Sequence, residues 1–248
     1  MYNPYSLINK TVLVTGASSG IGKALAIECS RLGAEVIICG RNEQRLEETL
    51  SELEGNNHSF RKADFSNNDQ ITSLVELLPT LDGVVHCAGF THTLPFQFVN
   101  EADLMAIMQV NFVSATLLSQ GLVKTKKIGK GSSVVFVSSI SGVNVSVLGN
   151  AMYSASKGAI NGMAKSMALD LASKGIRVNC VTPGMINTNL LHREVVTEEQ
   201  LAEDMKKYPL KRYGEPIEVA HAVIYLLSDA AKWVTGSNLL IDGGYTLL

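Results

Sequence analysis

Short β-branched apolar segments alternate with amphipathic segments of helical periodicity along the 248-residue chain. The predicted strands are Thr11–Thr15, Glu35–Cys39, Ser59–Ala63, Gly83–His86, Ser133–Val137, Ile176–Val181 and Ser237–Ile241. The predicted helices are Ile21–Leu32, Glu43–Leu53, Asp69–Leu78, Ala102–Leu122, Met152–Ser173 and Pro216–Leu227. The strands are apolar throughout, which is typical of parallel strands buried on both faces. The sequence therefore predicts one α/β domain over residues 1–248, a Rossmann-type doubly wound parallel sheet of about seven strands with helices on both faces.

Charge and cysteine content exclude several classes of protein. The formal net charge is -2, so there is no basic excess to neutralise the phosphates of a nucleic acid. The cysteines, which are Cys29, Cys39, Cys87 and Cys180, lack C-x-x-C spacing, so we expect reduced thiols in a cytoplasmic protein and no metal site. Residues 1–10 lack a signal-peptide pattern, and no apolar run approaches membrane-spanning length, so no membrane partner is expected.

A glycine-rich turn joins the first predicted strand to the first predicted helix. Its sequence is Thr15-Gly16-Ala17-Ser18-Ser19-Gly20-Ile21-Gly22. A dinucleotide pyrophosphate would meet the free amides of the helix N-terminus here, and glycines let the backbone approach it. The same glycines would also suit a helix that packs tightly on a strand. An NTPase phosphate loop is excluded because Lys23 is followed by Ala24 and stands one residue too far from the glycine.

The second predicted strand ends at Cys39-Gly40-Arg41-Asn42, which contains no carboxylate. A carboxylate at this point would accept hydrogen bonds from the adenosine ribose, whereas the guanidinium of Arg41 suits a 2′-phosphate. The sequence therefore favours NADP(H) over NAD(H). The alternative is that Arg41 is a solvated charge that opens the second helix.

Tyr153 and Lys157 lie four residues apart at the start of a predicted helix, so they share one helix face. A nearby ammonium stabilises a phenolate, and Tyr153 could then act as a proton donor or acceptor. Such a pair is often only a surface pair. Here, however, Ser138 and Ser139 end a strand at the carboxyl edge of the sheet, where ligands of open α/β folds bind.

In order along the chain, these motifs resemble the single-domain branch of the short-chain dehydrogenase/reductase family, and the similarity extends to the 3-oxoacyl-acyl-carrier-protein reductases. The resemblance runs nearly end to end. It rests on the glycine-rich turn, Asp64, Ala88-Gly89, Asn111, Ser139, the Y-S-A-S-K run from Tyr153 to Lys157, and Pro183-Gly184.

The resemblance implies an NADP(H)-dependent oxidoreductase that interconverts a ketone and a secondary alcohol. Tyr153 would exchange the proton, Ser139 rather than Ser138 would position the substrate oxygen, Lys157 would support Tyr153 and hold the nicotinamide ribose, and Asn111 would anchor a water. The implied cofactor-binding residues are Gly16, Ser18, Ser19, Gly20, Ile21, Gly22, Arg41, Asp64, Phe65, Ala88, Gly89, Tyr153, Lys157, Pro183, Gly184, Ile186 and Thr188.

One position departs from the family pattern. The family has Asn-Ala-Gly after the fourth strand, whereas this chain has Cys87-Ala88-Gly89. A thiol does not replace the hydrogen bonds of an amide, so the bracing of the central strands by that side chain is not expected here. We expect His86 to pack within the strand, and the sequence suggests no partner for His92 or His192.

The resemblance also places a flap and a pocket. Residues 185–207, with Leu190, Leu191, Val195 and Val196, would form a flap over the substrate. The expected pocket residues are mostly apolar and could equally be core; they are Phe90, Thr91, Val143, Asn144, Val145 and Met152. A medium-sized ketone would suit such a pocket.

Two kinds of protein partner are expected from the family. Lys124, Lys126, Lys127, Lys130 and Lys174 could dock an acidic carrier protein or could simply complement helix ends and keep a loop soluble. The C-terminal Asp242–Tyr245 segment resembles a surface through which relatives form tetramers or dimers.

Three other functions are compatible with parts of the pattern. One is a keto-sugar reductase of glycan biosynthesis. Another is a sugar-nucleotide epimerase or dehydratase, which the glycine spacing and chain length disfavour. The third is a non-catalytic NADP(H)-binding sensor or scaffold, which would have no need to keep all four of Tyr153, Lys157, Ser139 and Asn111.

Overall fold

The strands form a parallel sheet. The computed structural model describes residues 2–188 and 198–248. Within this part the sheet contains β1 (Thr11–Thr15), β2 (Glu35–Gly40), β3 (Ser59–Lys62), β4 (Gly83–His86), β5 (Ser133–Val137), β6 (Arg177–Pro183) and β7 (Asn238–Ile241). Their order is β3-β2-β1-β4-β5-β6-β7. Because the order reverses between β1 and β4, a crevice forms at the carboxyl ends of these two strands. The predicted fold class is confirmed.

Helices cover both faces of this sheet. The helices are α1 (Gly20–Arg31), α2 (Glu43–Ser51), α3 (Asn68–Leu77), α4 (Glu101–Met108), α5 (Ser114–Lys124), α6 (Ala151–Ala172), α7 (Glu198–Met205) and α8 (Pro216–Leu227). Of these, α3, α5 and α6 lie on one face and α1, α2 and α8 on the other. Side-chain caps explain two of the starts: Asn42 accepts a hydrogen bond from the backbone N–H of Arg45, and Asn67 from those of Asp69 and Gln70. The predicted outer boundaries agree within two residues, but α4 and α5 were predicted as one helix, Ala102–Leu122, and α7 was not predicted as a helix.

Two apolar clusters pack against the two faces. One lies beneath α3, α5 and α6 and the other beneath α1, α2 and α8; their members include Leu74, Leu118 and Ile160 in the first and Leu25, Leu46 and Val223 in the second. Each side chain of this kind contributes about 1.5–3 kcal/mol by leaving water. The sheet is therefore fixed from both sides, and its carboxyl edge becomes a rigid base for the loops that follow the strands.

A π-helical turn, Gln109–Val113, separates α4 from α5. The backbone N–H of Ser114 donates to the carbonyl of Gln109, and the Ser114 hydroxyl donates to the carbonyl of Val110 at 2.7 Å. Such turns often mark functional positions because they change the direction of one side chain within a continuous helix. Here the turn contains Asn111, which is 1% exposed.

The helical run Glu101–Lys124 is long and apolar enough to cross a membrane, with a mean hydropathy of 1.3 over its most apolar window. The expectation that no run approaches this length was therefore wrong. The sequence predicted a helix over Ala102–Leu122, and in the structure the π turn joins α4 and α5 into this longer run. In the structure Ile107, Leu118 and Leu122 of this run are fully buried in the protein core, as in the core helix of an α/β domain.

Candidate active site

The glycine-rich turn leaves no room for side chains at two of its glycines. Gly16 has φ +67°, and a Cβ there would lie 2.7 Å from the backbone N of Ala88. A Cβ on Gly22 would overlap the carbonyl of Gly16. At the following helix, the Ser19 side chain makes no cap hydrogen bond and the first turn of α1 holds no acidic residue. The backbone amides at this N-terminus thus fit a bound pyrophosphate.

The carboxyl end of β4 is braced by a hydroxyl. The Oγ1 of Thr15 accepts hydrogen bonds from the backbone N–H groups of Cys87 (3.2 Å) and Ala88 (3.3 Å) and donates to the carbonyl of Val85. Burial raises the pKa of the Cys87 thiol to about 12, so this side chain stays neutral. The missing amide at position 87 does not leave the strands unbraced, and the sequence reading missed the role of Thr15.

The end of β2 presents a free cation. Arg41 is exposed, and within the described residues its guanidinium makes no hydrogen bond. The Ser18 hydroxyl lies on the same side, because a Cβ on Gly40 would be 3.8 Å from its Oγ. Hydrogen bonds from the backbone N–H and hydroxyl of Ser66 hold the pKa of Asp64 below its usual range, and Arg41 adds a smaller electrostatic effect. A guanidinium beside a hydroxyl suits a phosphate monoester.

Asp64 and Phe65 follow β3, but they face different environments. The backbone N–H of Asp64 donates to Gln70 Oε1 at 2.8 Å, and its carboxylate accepts from Ser66. The Phe65 ring, in contrast, is 6% exposed and belongs to the apolar core. Phe65 can therefore contact a cofactor only through its backbone. The sequence did not reveal that the Phe65 ring is buried in the core.

The Asn111 side chain clamps the loop after β4. Its Oδ1 accepts from the backbone N–H of Phe90, and its Nδ2 donates to the Phe90 carbonyl and to the Ser156 hydroxyl, all at 3.0 Å. A Cβ on Gly89 would lie 3.1 Å from Asn111 Oδ1 and 3.7 Å from Lys157 Nζ. Both hydrogens of the amide are thus engaged, and the Oδ1 already accepts one hydrogen bond, so the side chain serves first to hold this loop.

Tyr153 and Lys157 share one face of α6, as predicted. Lys157 is 6% exposed, and its Nζ lies 5.6 Å from the centroid of the Tyr153 ring and donates to the carbonyl of Val137 at 2.8 Å. Within the described residues this buried ammonium forms no ion pair. A buried cation without a carboxylate is costly, and the Lys157 ammonium lies over the Tyr153 ring as a cation–π contact.

The two serines at the end of β5 have different surroundings. Ser138 is 4% exposed; its hydroxyl donates to the carbonyl of Lys157 and accepts from Asn161 Nδ2. Ser139 is partly exposed, and its hydroxyl accepts from the backbone N–H of Ser141 at 3.1 Å, which leaves its proton available. This difference agrees with the choice of Ser139 over Ser138.

The loop after β6 lies beside the glycine-rich turn. The backbone N–H of Gly184 donates to the carbonyl of Ile241 at 2.9 Å, and Ile186 is buried. Thr188 Cγ2 would be 3.3 Å from a Cβ on Gly20. Pro183, at the end of β6, is buried as well. The residues predicted for the two ends of a dinucleotide therefore line one continuous edge.

Two of the histidines considered in the sequence, His86 and His92, have partners of their own in the structure. His86 is buried, stacks on Phe136 at 4.7 Å between centroids and hydrogen-bonds the Ser119 hydroxyl at 2.9 Å. Its packing role is confirmed. The Nδ1 of His92 lies 3.6 Å from a carboxylate oxygen of Asp103, a partner that the sequence did not suggest. His192 and the flap residues Leu190, Leu191, Val195 and Val196 lie outside the described residues.

The five lysines singled out by sequence lie at the opposite edge of the sheet. Lys124 ends α5, and the other four lie in the α5–β5 and α6–β6 connections, which precede the amino ends of β5 and β6. Lys127 has a structural role, because its Nζ donates to the carbonyls of Glu76 and Leu78 at the end of α3. For this residue, the interpretation as a helix-end cation is confirmed.

Comparison with known proteins agrees with this geometry. A family model described as Enoyl-(Acyl carrier protein) reductase matches residues 16–246. The FabG 3-oxoacyl-(acyl-carrier-protein) reductase of Rickettsia felis is 34% identical over 98% of this chain and 99% of its own. A chloroplastic tropinone reductase homologue of Arabidopsis thaliana is 36% identical over 98% of this chain and 77% of its own.

Solved structures give the same result. A structure described as a short chain dehydrogenase/reductase family protein superposes with a TM-score of 0.86 at 30% identity, covering 97% of this chain and 99% of its own. A candidate NAD(P)-dependent gluconate 5-dehydrogenase from Beutenbergia cavernae, with bound NADP, has a TM-score of 0.91 at 28% identity and covers 99% of this chain and 100% of its own. The chain belongs to the short-chain dehydrogenase/reductase family.

Membership fixes the broad chemistry of this short-chain dehydrogenase/reductase. The protein is an oxidoreductase that uses a nicotinamide cofactor and acts on a small-molecule substrate. Among the residues that hold the site together, sequence reasoning missed Thr15, Ser156 and Asn161. A polar residue at the end of an otherwise apolar strand was an available signal for Thr15, whereas the other two depend on contacts between distant segments.

Proposed function

We propose that this chain, as one domain, is an NADP(H)-dependent enzyme that interconverts a ketone and a secondary alcohol. The observation that carries the proposal is the convergence of Tyr153, the buried Lys157, Ser139 and the clamped Asn111 at the carboxyl edge beside a glycine turn without room for side chains. A sensor or scaffold has no use for a buried, unpaired cation at this place.

The residues around the crevice fit NADP(H). The turn from Gly16 to Gly22 would hold the pyrophosphate, Arg41 and Ser18 the 2′-phosphate, Asp64 and the Phe65 backbone the adenine, and Ala88-Gly89 the adjoining ribose. Lys157 would hold the nicotinamide ribose, and Pro183, Gly184, Ile186 and Thr188 would hold the carboxamide. The bound nicotinamide supplies or accepts the hydride.

The protein's own groups handle the proton and the orientation of the substrate. The Tyr153 hydroxyl donates its proton to the carbonyl oxygen during reduction and takes it back during oxidation. The Ser139 hydroxyl donates a hydrogen bond to the same oxygen, and Lys157 stabilises the phenolate that remains on Tyr153. The backbone of Asn111, held by the Phe90 clamp, supports a water that returns the proton.

The preference for NADP(H) rests on charge at the end of β2. No carboxylate directly follows β2 along the chain, and the first charged residue after Gly40 is Arg41. The nearby Asp64 carboxylate, which follows β3, already accepts hydrogen bonds from Ser66. A guanidinium pairs with a phosphate through two parallel hydrogen bonds. NADH has no 2′-phosphate with which the Arg41 guanidinium could pair.

For the substrate, a 3-oxoacyl thioester is the first candidate. The two loops beside Tyr153, residues 90–99 and 140–152, contain no Asp, Glu, Lys or Arg, and such loops suit an uncharged apolar substrate arm. Relatives named as 3-oxoacyl-(acyl-carrier-protein) reductases and tropinone reductase homologues support this class. A keto-sugar acid is the second candidate, favoured by the structural similarity to a candidate gluconate 5-dehydrogenase.

Partners and location follow from the same proposal. A tetramer or dimer is proposed from family resemblance at the C-terminal segment, and cytoplasmic location from the four free, reduced cysteines. A carrier protein docked at Lys124, Lys126, Lys130 and Lys174 would face the edge opposite Tyr153. It could then deliver its acyl group only to a neighbouring subunit, so the carrier proposal depends on the oligomer.

The test combines a titration with a substrate screen. The purified protein is titrated with NADPH and NADH, and turnover is followed by NADPH oxidation with a 3-oxoacyl thioester, the matching enoyl thioester, 5-ketogluconate and tropinone. We expect tighter binding of NADPH and the highest turnover with the 3-oxoacyl thioester. Turnover of the enoyl thioester alone would contradict ketone chemistry, and NADPH binding without any turnover would favour a sensor.

A further inference from the structure

Tyr208 lies beside the loop proposed to hold the nicotinamide, although it belongs to a distant part of the chain. It is 4% exposed, and its hydroxyl oxygen accepts a hydrogen bond from the backbone N–H of Met185 at 3.3 Å. Met185 directly follows Pro183-Gly184. One buried phenol therefore touches the backbone of the loop that is proposed to orient the cofactor.

Two further tyrosines surround Tyr208, and we call the three the tyrosine cluster. The Tyr208 ring meets Tyr213 edge to face at 5.5 Å and lies tilted on Tyr245 at 4.7 Å between centroids. The Tyr213 hydroxyl donates to a carboxylate oxygen of Asp204 on α7 at 2.9 Å. Aromatic pairs in these geometries fix the ring position more tightly than area burial alone.

The C-terminal turn holds Tyr245 in this cluster. The Asp242 carboxylate accepts hydrogen bonds from the backbone N–H groups of Gly244 and Thr246 and from the Thr246 hydroxyl, at 2.7–2.9 Å. The same segment touches the cofactor loop, because a Cβ on Gly184 would lie 3.1 Å from the Cα of Asp242. The C-terminal turn thus contacts the Gly184 loop both directly and through the tyrosine cluster.

We propose that Tyr208 is a positioning residue, which fixes the Met185 amide and with it the Gly184–Ile186 loop against the nicotinamide end of the cofactor, and that the C-terminal turn sets its position through Tyr245. A small cavity lined by Met185, Leu210 and Gly243 lies beside Tyr208. Backbone hydrogen bonds hold other points of this loop, from the N–H of Gly184 to the carbonyl of Ile241 and from the N–H of Gly214 to the carbonyl of Met185. The Tyr208 hydroxyl adds the contact that fixes the Met185 amide beside this cavity. The inference rests on the proposed function only for the identity of the cofactor.

The variant Tyr208→Phe keeps the ring and removes the acceptor, so the fold should survive. We expect the Kd for NADPH to rise about 3- to 10-fold, the effect of one buried hydrogen bond. The Kd for 2′,5′-ADP, which has the 2′-phosphate but no nicotinamide, should not change. Tyr5→Phe, at a surface tyrosine 47% exposed, is the matched control and should change neither constant.

The link to the C-terminal turn is tested by a double-mutant cycle on NADPH affinity. Tyr245→Leu removes the ring that lies on Tyr208, and we expect it to weaken NADPH binding by a similar factor. Because both changes act on the same hydrogen bond, the double variant should bind only slightly less tightly than either single variant. If the losses of NADPH affinity in the two single variants multiplied in the double variant, the role of the C-terminal turn would be overturned.

The outcomes separate this inference from the proposed function. Equal NADPH affinity of wild type and Tyr208→Phe would overturn the positioning role and leave the proposed function standing. An equal loss of affinity for NADPH and 2′,5′-ADP would show general loosening and would also overturn it. Failure of the wild-type protein to bind NADPH would overturn both proposals.

Discussion

The two edges of the sheet use polar groups and glycines in different ways. At the amino edge, the Asp82 carboxylate accepts from the backbone N–H of Thr11 at 2.8 Å, and Lys127 donates to the last carbonyls of α3. These contacts satisfy the ends of strands and helices. Gly131 lies here with φ +92°, and a Cβ on it would meet no atom within 4 Å.

At the carboxyl edge, polar side chains hold loops instead. Thr15 braces the turn after β4, Asn111 clamps Phe90, and Lys157 remains a buried cation without a carboxylate in the described residues. Gly16 has a positive φ like Gly131, but backbone atoms surround it. At the amino edge, Gly131 is needed only for its positive φ. At the carboxyl edge, Gly16 is needed because the backbone of Ala88 approaches it too closely for a side chain.

The largest effect is expected from Gly16→Ala. The added Cβ would lie 2.7 Å from the backbone N of Ala88, and no side chain is available to move aside. We expect NADPH affinity to fall by roughly 100-fold or more, since the turn can accept the methyl group only by leaving the pyrophosphate position. Isothermal titration with NADPH measures this loss.

Gly131→Ala is the matched control at the other edge. It shares the positive φ but has free space around it, so it should cost about 1–2 kcal/mol of unfolding free energy and leave the Kd for NADPH unchanged. If both variants lost NADPH binding to the same extent, the contrast between the two edges would be wrong.

Arg41→Asp should reverse the cofactor preference. The carboxylate repels the 2′-phosphate and can accept from the ribose hydroxyls, so the ratio of NADPH to NADH affinity should fall about 10- to 100-fold. Arg45→Asp, on the exposed first turn of α2, changes the net charge equally and should alter this ratio much less. An equal response of the two variants would mean that overall charge, and not Arg41, discriminates the cofactors.

Lys127→Met is expected to affect stability and not the site. It removes the hydrogen bonds to the carbonyls of Glu76 and Leu78 at the amino edge, which should cost about 1–3 kcal/mol in urea unfolding. The Kd for NADPH should equal that of the wild type. Weakened cofactor binding in this variant would show that the two edges are energetically coupled.

The burial of His86 should make the free energy of unfolding depend on pH, and we expect this effect to be weaker than those above. Burial lowers its pKa to about 3 in the folded protein, whereas the unfolded chain binds a proton near pH 6.5. The unfolded state therefore binds more protons between these values, and stability should fall with decreasing pH by at most about 1.4 kcal/mol per pH unit. His86→Phe should flatten the dependence between pH 6.5 and 5, and an unchanged slope would refute this assignment.

Periodicity and turn residues predicted much of this fold because they report on local structure. The bounds of β1, β4, β5 and α8 agree with the prediction residue for residue. The π turn at Asn111 was not predicted, because the apolar segment Ala102–Leu122 was interpreted as one continuous α-helix. It depends on contacts of Asn111 with Phe90 and Ser156, which lie far away in the sequence.

In the candidate site, too, some features follow from local sequence and others depend on contacts between distant segments. The spacing of Tyr153 and Lys157 fixes their common helix face, and the sequence was sufficient to place them together. The environments of Ser138 and Ser139 differ through Asn161, which packs from the next turns of α6. Tyr208 shows the limit most clearly, since no local pattern connects it with Met185, and only the fold brings the two together.

The central claim is that Tyr153 transfers the proton at a site that binds NADPH independently of it. The most direct measurement is the rate of NADPH oxidation by Tyr153→Phe at saturating NADPH and 3-oxoacyl thioester, with the Kd for NADPH measured on the same sample. The account predicts a rate at least about 100-fold below that of the wild type with a Kd within a factor of about two. An undiminished rate would contradict it.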